Sequence, residues 1–170
     1  MRVLGIDPGS NVTGFGCVEV DDARARPVLV EAGVFRLNGV KEAKGVASIS
    51  SRLVELDTDL RELLARVSPD VVAVESLFAH YKHPATAITM GHTRGVILLA
   101  VERAGCRLVE LKPNEVKKAL TGHGHASKAQ MQAAVMGAYG LGEPASQADM
   151  ADAIAIATCA VWRVGFAATT

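Results

Sequence analysis

The sequence is poor in aromatic residues, which make up 4% of its 170 positions, and it has no excess of either charge. Lysine and arginine together number 18, and so do aspartate and glutamate. A dedicated nucleic-acid binder usually carries a basic excess that attracts phosphates, so a neutral chain argues against long-range attraction of that kind. Basic side chains are nevertheless concentrated between residues 107 and 128, a segment with only two acidic residues, Glu110 and Glu115. A local basic face is therefore compatible with the sequence.

Cysteines are also few, and long apolar runs are missing. Cys17, Cys106 and Cys159 are odd in number and lack the spacing of a disulfide framework or a zinc site, so we expect reduced core residues. The longest apolar run, near residues 153–161, is too short to cross a bilayer, and the strand-like opening leaves no room for a signal peptide. We expect residues 1–170 to form one domain in the cytoplasm, without membrane association.

Short apolar segments predict three strands at the start of the chain. Residues 2–6 are an apolar run that ends in the turn-forming letters DPGSN, and alternating and β-branched residues resume at 13–20. Residues 28–37 are a third candidate, bounded by Pro27 and by an Asn-Gly pair. A strand, a turn and a returning strand favour an antiparallel start.

The hydrophobic period changes after position 46. Apolar residues recur three and four positions apart from Val46 to Val67, which predicts an amphipathic helix ending before Ser68 and Pro69. The later elements are expected as a strand at 71–74, a helix at 85–104, a strand at 106–111, a helix starting near Pro113, a helix opened by the box at Ser127, and a last helix opened at Ser146 that runs to about Val161. This order predicts an α/β domain of three layers with a mixed five-stranded sheet flanked by helices.

Four carboxylates stand where such a fold builds a site. Asp7 follows the first strand and Glu75 ends the central strand, while Asp149 and Asp152 are three residues apart on the last helix and share one face. Ligands of open α/β sheets bind outside the strand ends, so Asp7 and Glu75 meet there if their strands are neighbours. The last helix would then bring its pair of aspartates to them.

Clustered carboxylates repel one another and remain ionised only if a cation offsets the repulsion. A set of oxygen ligands selects magnesium or manganese. Two such ions, about 3.5 to 4 Å apart, can hold the attacking and leaving oxygens of a phosphodiester and lower the pKa of a bound water. The four acids therefore indicate hydrolytic nuclease chemistry.

Each acid also has a simpler interpretation. Asp149 is the third residue of a capping box that begins at Ser146, and Asp152 would serve as a solvated helix residue. Asp7 precedes Pro8 and would serve as a turn residue. Glu75 is harder to explain by packing, because a carboxylate seldom ends a buried apolar run without a function. The inference depends on all four together.

Two further motifs leave other functions open. Gly5, Gly9, Gly14 and Gly16 resemble the phosphate-binding loop that opens actin-like ATPases and sugar kinases, although those proteins have two such domains and this chain has length for one. His123 and His125, in a glycine loop, would suit zinc, but neither a cysteine partner nor a histidine at helical spacing accompanies them. A loop that faces phosphates is the alternative for these histidines.

Three segments resemble the RuvC family of Holliday-junction resolvases: GIDPGSNVTGFG at 5–16, VESLF at 74–78 and QADMADAIAIA at 147–157. Their order and spacing agree with that family over nearly the whole chain. The resemblance implies a ribonuclease H-like fold, a homodimer, magnesium dependence with manganese as a substitute, and paired nicks in opposing strands of a four-way junction. It also implies an interaction with the RuvA–RuvB branch-migration complex.

The resemblance also assigns roles to individual residues. The family's four metal-binding catalytic acids fall on Asp7, Glu75, Asp149 and Asp152. An aromatic residue that stacks on DNA bases falls on Phe78, which without the resemblance would serve equally well as a core residue. Two lysines that approach phosphates fall on Lys117 and Lys128. These three are the expected DNA-binding residues.

Other functions remain as alternatives. A YqgF-type ribosomal-RNA processing nuclease has a similar opening but is usually shorter, and the ending at 147–157 favours RuvC. A silent module would bind junctions without a metal requirement for cutting. An actin-like ATPase would hydrolyse nucleotide in the absence of DNA.

Overall fold

The computed structural model describes residues 1–21, 26–39, 48–76, 84–142 and 148–167. The elements within these ranges are β1 (Arg2–Asp7), β2 (Val12–Glu19), β3 (Val28–Arg36), α1 (Ile49–Val67), β4 (Val71–Glu75), α2 (Pro84–Arg103), β5 (Arg107–Leu111), α3 (Pro113–Thr121), α4 (Lys128–Tyr139) and α5 (Ala148–Ala167). Among the helices that the structure describes, none has the length and apolar content that a bilayer crossing requires.

One mixed sheet contains the five strands, in the order β3-β2-β1-β4-β5. β1 pairs antiparallel with β2, which in turn pairs antiparallel with β3. On its other side β1 pairs parallel with β4, and β4 pairs parallel with β5. The predicted antiparallel start and the mixed five-stranded sheet are both confirmed, and β1 lies in the middle.

The central strands are buried on both faces, which explains their nearly continuous apolar sequence. Leu4 and Ile6 of β1 pack into a core with α1 and α2, whereas Val3 packs into a second core beneath α3, α4 and α5. Successive side chains of a strand point to opposite faces, so this alternation sends Asp7 to the same side as Val3. Helices on both faces complete the predicted three layers.

Helix α1 shows why the hydrophobic period identified it. Its buried residues recur along one face: Leu56, Leu60, Leu63, Leu64 and Val67. The Ser48 hydroxyl caps the first turn by accepting a hydrogen bond from the Ser51 amide at 3.2 Å. At the other end Ser68 adopts a left-handed conformation, with φ of 44°, immediately before Pro69. The predicted start at Val46 lies outside the described residues.

The predicted capping boxes have different outcomes. At α4 the Ser127 hydroxyl accepts from the Gln130 amide at 3.2 Å, and the Gln130 side chain accepts from the Ser127 amide at 2.8 Å. This box is confirmed. The box predicted at Ser146 falls on a residue outside the described ranges, and α5 is described from Ala148.

Helix α5 lies unusually close to β1 and β2 because glycines face it. A Cβ atom on Gly5 would overlap the Ala153 carbonyl oxygen and stand 2.5 Å from the Ala157 nitrogen. A Cβ on Gly14 would overlap the backbone at Asp149, and one on Gly16 would stand 2.7 Å from Ile154. The helix backbone therefore occupies the space that side chains would fill. Helix packing explains these glycines, which the sequence alone also allowed as part of a phosphate-binding loop.

We expect Gly5→Ala to lower the free energy of unfolding by about 2–4 kcal/mol, since the new methyl group forces α5 away from the sheet. Urea titration followed by circular dichroism measures the change. Gly137→Ala is the matched control, because nothing lies within 4 Å of a Cβ at this α4 position. There the same methyl group should stabilise the helix by about 0.5–1 kcal/mol. Equal effects at the two positions would contradict the packing explanation.

Candidate metal centre

Asp7 and Glu75 are brought together by the parallel pairing of two strands. Asp7 is the last residue of β1 and Glu75 is the last residue of β4. The register pairs Ile6 with Val74, so the next residues on the two strands are neighbours. The period of two places both side chains on the face covered by α3, α4 and α5. The strands of Asp7 and Glu75 are therefore neighbours, which is the condition under which the sequence predicted that the two acids meet.

Helix α5 supplies the other two acids from its first turns. Asp149 and Asp152 lie three residues apart, on the same side of the helix. Carboxylate oxygens of Asp7, Asp149 and Asp152 all lie within 4.8 Å of one another. Glu75 lines the same cleft as Asp7 and Asp152. The structure thus gathers the four acids from three separate parts of the chain.

The cleft lined by three of these acids, Asp7, Glu75 and Asp152, has a volume of about 280 Å³. Its lining residues are Asp7, Glu75, Pro113, Val116, Lys117, Lys128, Met131, Asp152 and Ile156. The apolar members form walls that reduce the access of water to the carboxylates. Both predicted lysines line the cleft, Lys117 from α3 and Lys128 from the first turn of α4.

Burial and repulsion among the carboxylates together raise the pKa values of two acids in the cleft. Burial first, and then the charges of Asp152, Glu75 and Asp149, raise the pKa of Asp7 from its usual 3.8 to about 7. The pKa of Glu75 is also raised, chiefly by burial and then by Asp152. At neutral pH the cluster therefore holds its negative charge at a cost in free energy.

Two lysines offset part of that cost. The Lys128 ammonium contacts the Asp152 carboxylate at 2.8 Å, and this hydrogen bond is the main reason that the pKa of Lys128 is raised. Lys117 lowers the pKa of the Glu75 carboxyl, whereas burial raises it. Lys128 also lowers the pKa of Asp7. The two ammonium groups therefore lie close enough to the carboxylates to stabilise their ionised forms.

The donor set suits a divalent cation. Oxygen atoms from several carboxylates, converging in a partly buried cleft, match the coordination preferences of magnesium, manganese or calcium. A cation of this kind would offset the repulsion that, together with burial, raises the pKa of Asp7. The residues present therefore fit a hard divalent metal.

Zinc ligation by His123 and His125 receives no support. Both side chains are exposed in the turn between α3 and α4. Within the described part of the chain, the one group that could hold a metal is the aspartate trio. Phe78, predicted to stack on DNA bases, lies outside the described residues.

A buried arginine next to the site was not predicted from the sequence. Arg94 is only 8% exposed, and its guanidinium donates a hydrogen bond of 2.7 Å to the backbone carbonyl of Glu75. The one feature of the sequence that could have indicated it is a basic residue close to the apolar run at 96–101. That signal shows only that the residue interrupts a hydrophobic stretch, not which groups it contacts.

The order of strands, the helices on both faces and the acidic cluster at the strand ends define a nuclease of the ribonuclease H-like class. The profile of one family, described as "Crossover junction endodeoxyribonuclease RuvC", matches residues 3–160. The chain belongs to this RuvC family.

Similar proteins support the same assignment. A crossover junction endodeoxyribonuclease RuvC from Rhodopirellula baltica is 41% identical over 157 residues, which cover 92% of this chain and 84% of that protein. Its counterpart from Chloroflexus aggregans is 43% identical over 161 residues, covering 94% and 92%. Among solved structures, RuvC from T. thermophilus in complex with a Holliday junction substrate superposes with a TM-score of 0.84 at 32% identity, covering 98% and 96%.

The raised pKa of Asp7 predicts a pH-dependent stability for the metal-free protein. The folded protein binds the Asp7 proton more tightly than the unfolded chain does, so this group contributes most below about pH 4. The free energy of unfolding should therefore fall as the pH rises from about 4 to about 7. Asp7→Asn should remove this loss and stabilise the protein by roughly 1–3 kcal/mol at pH 8.

Urea titrations of both proteins in chelator, at pH 5 and pH 8, measure this difference. Glu62→Gln, at an exposed position of α1, controls for the loss of one negative charge. An Asp7→Asn protein that is less stable than the wild type at pH 8 would show that the carboxylate is stabilising, contrary to this prediction.

Proposed function

We propose that this protein cuts four-way DNA junctions by metal-dependent hydrolysis of phosphodiester bonds, with Asp7, Glu75, Asp149 and Asp152 as the catalytic acids. The observation that carries the proposal is that Asp7 and Asp152 of a RuvC-family chain lie in one carboxylate cluster with Asp149 and line one cleft with Glu75. A related protein has been solved with a Holliday junction substrate. The enzyme would act in homologous recombination and DNA repair, and this substrate implies a cytoplasmic location.

The proposal includes two magnesium ions, with manganese as a substitute. When bound, such ions stabilise the charge that develops on phosphate oxygens and make water acidic enough to attack at neutral pH. Asp7 would hold the metal together with Asp149 and Asp152, because carboxylate oxygens of the three residues lie within 4.8 Å of one another. Glu75, which lines the same cleft as Asp7 and Asp152, would contribute a further carboxylate ligand.

Lys117 and Lys128 are proposed to hold the phosphate. Both line the cleft, and the Lys128 ammonium is already within 2.8 Å of the Asp152 carboxylate. A phosphate entering the cleft would find these two ammonium groups beside the acids. The basic residues of 107–128 would extend this contact, which gives a neutral protein a local and salt-dependent affinity for DNA.

Phe78 is proposed to stack on a base near the cut. The last described residue before it, Ser76, follows Glu75 directly at the carboxyl end of β4. The chain therefore leaves the strand at the acidic cluster. An aromatic side chain two residues further on would be suited to contact unstacked bases there.

A homodimer would provide the two sites that symmetric nicking requires. Helix α2 supports this proposal because two large apolar side chains are exposed on its outer side, Ile88 at 60% and Leu99 at 48%. Gly91 and Gly95 lie on the same helix with open space at their Cβ positions, so another helix could approach closely. We propose this face of α2 as the dimer surface. The further partner, the RuvA–RuvB complex, is proposed from the family resemblance.

Removing any one acid should abolish cutting without abolishing junction binding. We expect Glu75→Gln and Asp152→Asn to reduce single-turnover cleavage of a labelled synthetic four-way junction by roughly three orders of magnitude, since several kcal/mol of charge stabilisation is lost. Magnesium, manganese and chelator are compared, with linear duplex of the same sequence beside the junction.

Glu62→Gln, exposed on the opposite face of the sheet, is the control and should cut normally. Symmetric nicks in the junction alone, abolished by chelator, are the expected wild-type result. Tight junction binding without cutting in either metal would instead identify a silent binding module and overturn the proposed function.

Placing a charge in the dimer face should separate the subunits. Leu99→Glu is expected to convert the dimer into a monomer in light scattering, because an unpaired carboxylate would be buried at the interface. Paired nicks should fall while single nicks persist. Val30→Glu, at an equally exposed site on the edge strand β3, should leave the dimer intact. A Leu99→Glu protein that remains dimeric would place the interface elsewhere.

A further inference from the structure

Arg94 is a charged residue whose burial the catalytic cluster does not explain. Its side chain is 10% exposed, and it extends from α2, a helix that otherwise packs apolar residues such as Ile97 and Val101 against the sheet. Burying a guanidinium is costly unless its hydrogen bonds are satisfied by specific partners. A buried arginine therefore indicates that its polar contacts have a role that an apolar side chain could not fill.

The partners of Arg94 lie on two neighbouring strands. One terminal nitrogen, Nη1, donates to the backbone carbonyl of Glu75 at 2.7 Å. The other, Nη2, contacts Oε2 of the Glu110 carboxylate, also at 2.7 Å. The planar guanidinium thus bridges the end of β4 and the neighbouring part of β5.

Arg94 contacts β4 at its carboxyl end, where the strand is paired on one side only. On the β1 side the register ends at Ile6 and Val74, one residue before Glu75. On the β5 side Glu75 still pairs with Leu111, and the Ser76 amide donates to the Leu111 carbonyl at 2.8 Å. Arg94 therefore adds a contact to the end of β4, at a residue that β1 no longer pairs with.

Arg94 reaches Glu75 from the face of the sheet opposite the acids. Helix α2 packs on the face shared with α1, whereas the Glu75 side chain lines the cleft beneath α3, α4 and α5. The cation that lowers the pKa of the Glu75 carboxyl is Lys117. Arg94 acts on the Glu75 backbone, and hence on the position of the carboxylate rather than on its charge.

We infer that Arg94 is a positioning residue for the metal centre, which holds the carboxyl end of β4 so that the Glu75 carboxylate keeps its place beside Asp7 and Asp152. A misplacement of about 1 Å at a reacting centre can cost roughly a hundredfold in rate, so a fixed strand end matters for function. The inference rests on the proposed function in one respect, that Glu75 is a metal ligand.

The test measures Mn²⁺ binding to the full-length, DNA-free protein by electron paramagnetic resonance of the free ion. We expect Arg94→Lys and Arg94→Gln to weaken Mn²⁺ binding roughly tenfold, as the loss of a group supporting a metal ligand does. Lysine retains the charge but not the fork that spans two strands, so it should not rescue binding fully. Glu110→Gln, which leaves the bond to the Glu75 carbonyl, should have a smaller effect.

Arg163→Gln is the matched control. Arg163 is 53% exposed and donates to the Glu110 backbone carbonyl at 2.9 Å from α5, without contacting Glu75. Its substitution should leave Mn²⁺ binding within about twofold of the wild type. Thermal unfolding of every variant identifies those that are folded, and Arg94→Lys carries the test if Arg94→Gln does not fold.

A double-mutant cycle then separates positioning from general stabilisation. If Arg94 acts through Glu75, Arg94→Lys should cost little further Mn²⁺ affinity in a Glu75→Gln background. Wild-type affinity in folded Arg94→Lys, or losses that simply add, would overturn the inference and make Arg94 a purely structural residue. Because no DNA is present, a wild type that binds Mn²⁺ but does not cut junctions would refute the proposed function and leave this comparison valid.

Discussion

The close contact between the backbone of α5 and the glycines of β1 and β2 is the constraint on which the site depends. Gly5, Gly14 and Gly16 leave the space that the helix occupies, and a methyl group at any of them would collide with it. This approach determines how near Asp149 and Asp152 come to Asp7. Protein interiors are close-packed, so a methyl group added at one of these glycines would displace the helix and carry both aspartates away from the strand ends. Stability and site geometry therefore depend on the same contact.

The fold also holds the acids together against their mutual repulsion. Burial and three neighbouring carboxylates raise the pKa of Asp7 to about 7, so folding must compensate for an unfavourable local arrangement. The apolar cores on the two faces of the sheet provide that compensation, while Lys128 and Lys117 reduce the repulsion. Such stored electrostatic strain is typical of functional sites, because a cation or a cationic ligand releases it on binding. A metal-dependent nuclease uses the strain to gain affinity for the metal.

Much of the fold was predictable from local patterns. Apolar spacing identified α1, alternation and turn residues identified β1 to β3, and the Ser127 box located the start of α4. The acids could be grouped because strand ends and helical spacing follow general rules of chain geometry. The role of Gly5 and Gly14 was not predictable, since a glycine-rich opening is equally compatible with a phosphate loop. The contacts of Arg94 were not predicted because its partners, Glu75 and Glu110, lie 19 and 16 residues away along the chain, on two different strands.

Local sequence patterns were sufficient to predict most of the elements and to single out the acids that are proposed to carry the chemistry, because hydrophobic period, capping and side-chain type are local properties of the chain. They also placed Asp7 and Glu75 at strand ends and put Asp149 and Asp152 on one helical face. The folded structure was needed to show that β1 and β4 are neighbours, that α5 lies against glycines, that Lys128 contacts Asp152, and that Arg94 donates a hydrogen bond to the Glu75 backbone. These are contacts between residues distant in sequence, and their distances are set by how whole elements pack, which no local pattern encodes.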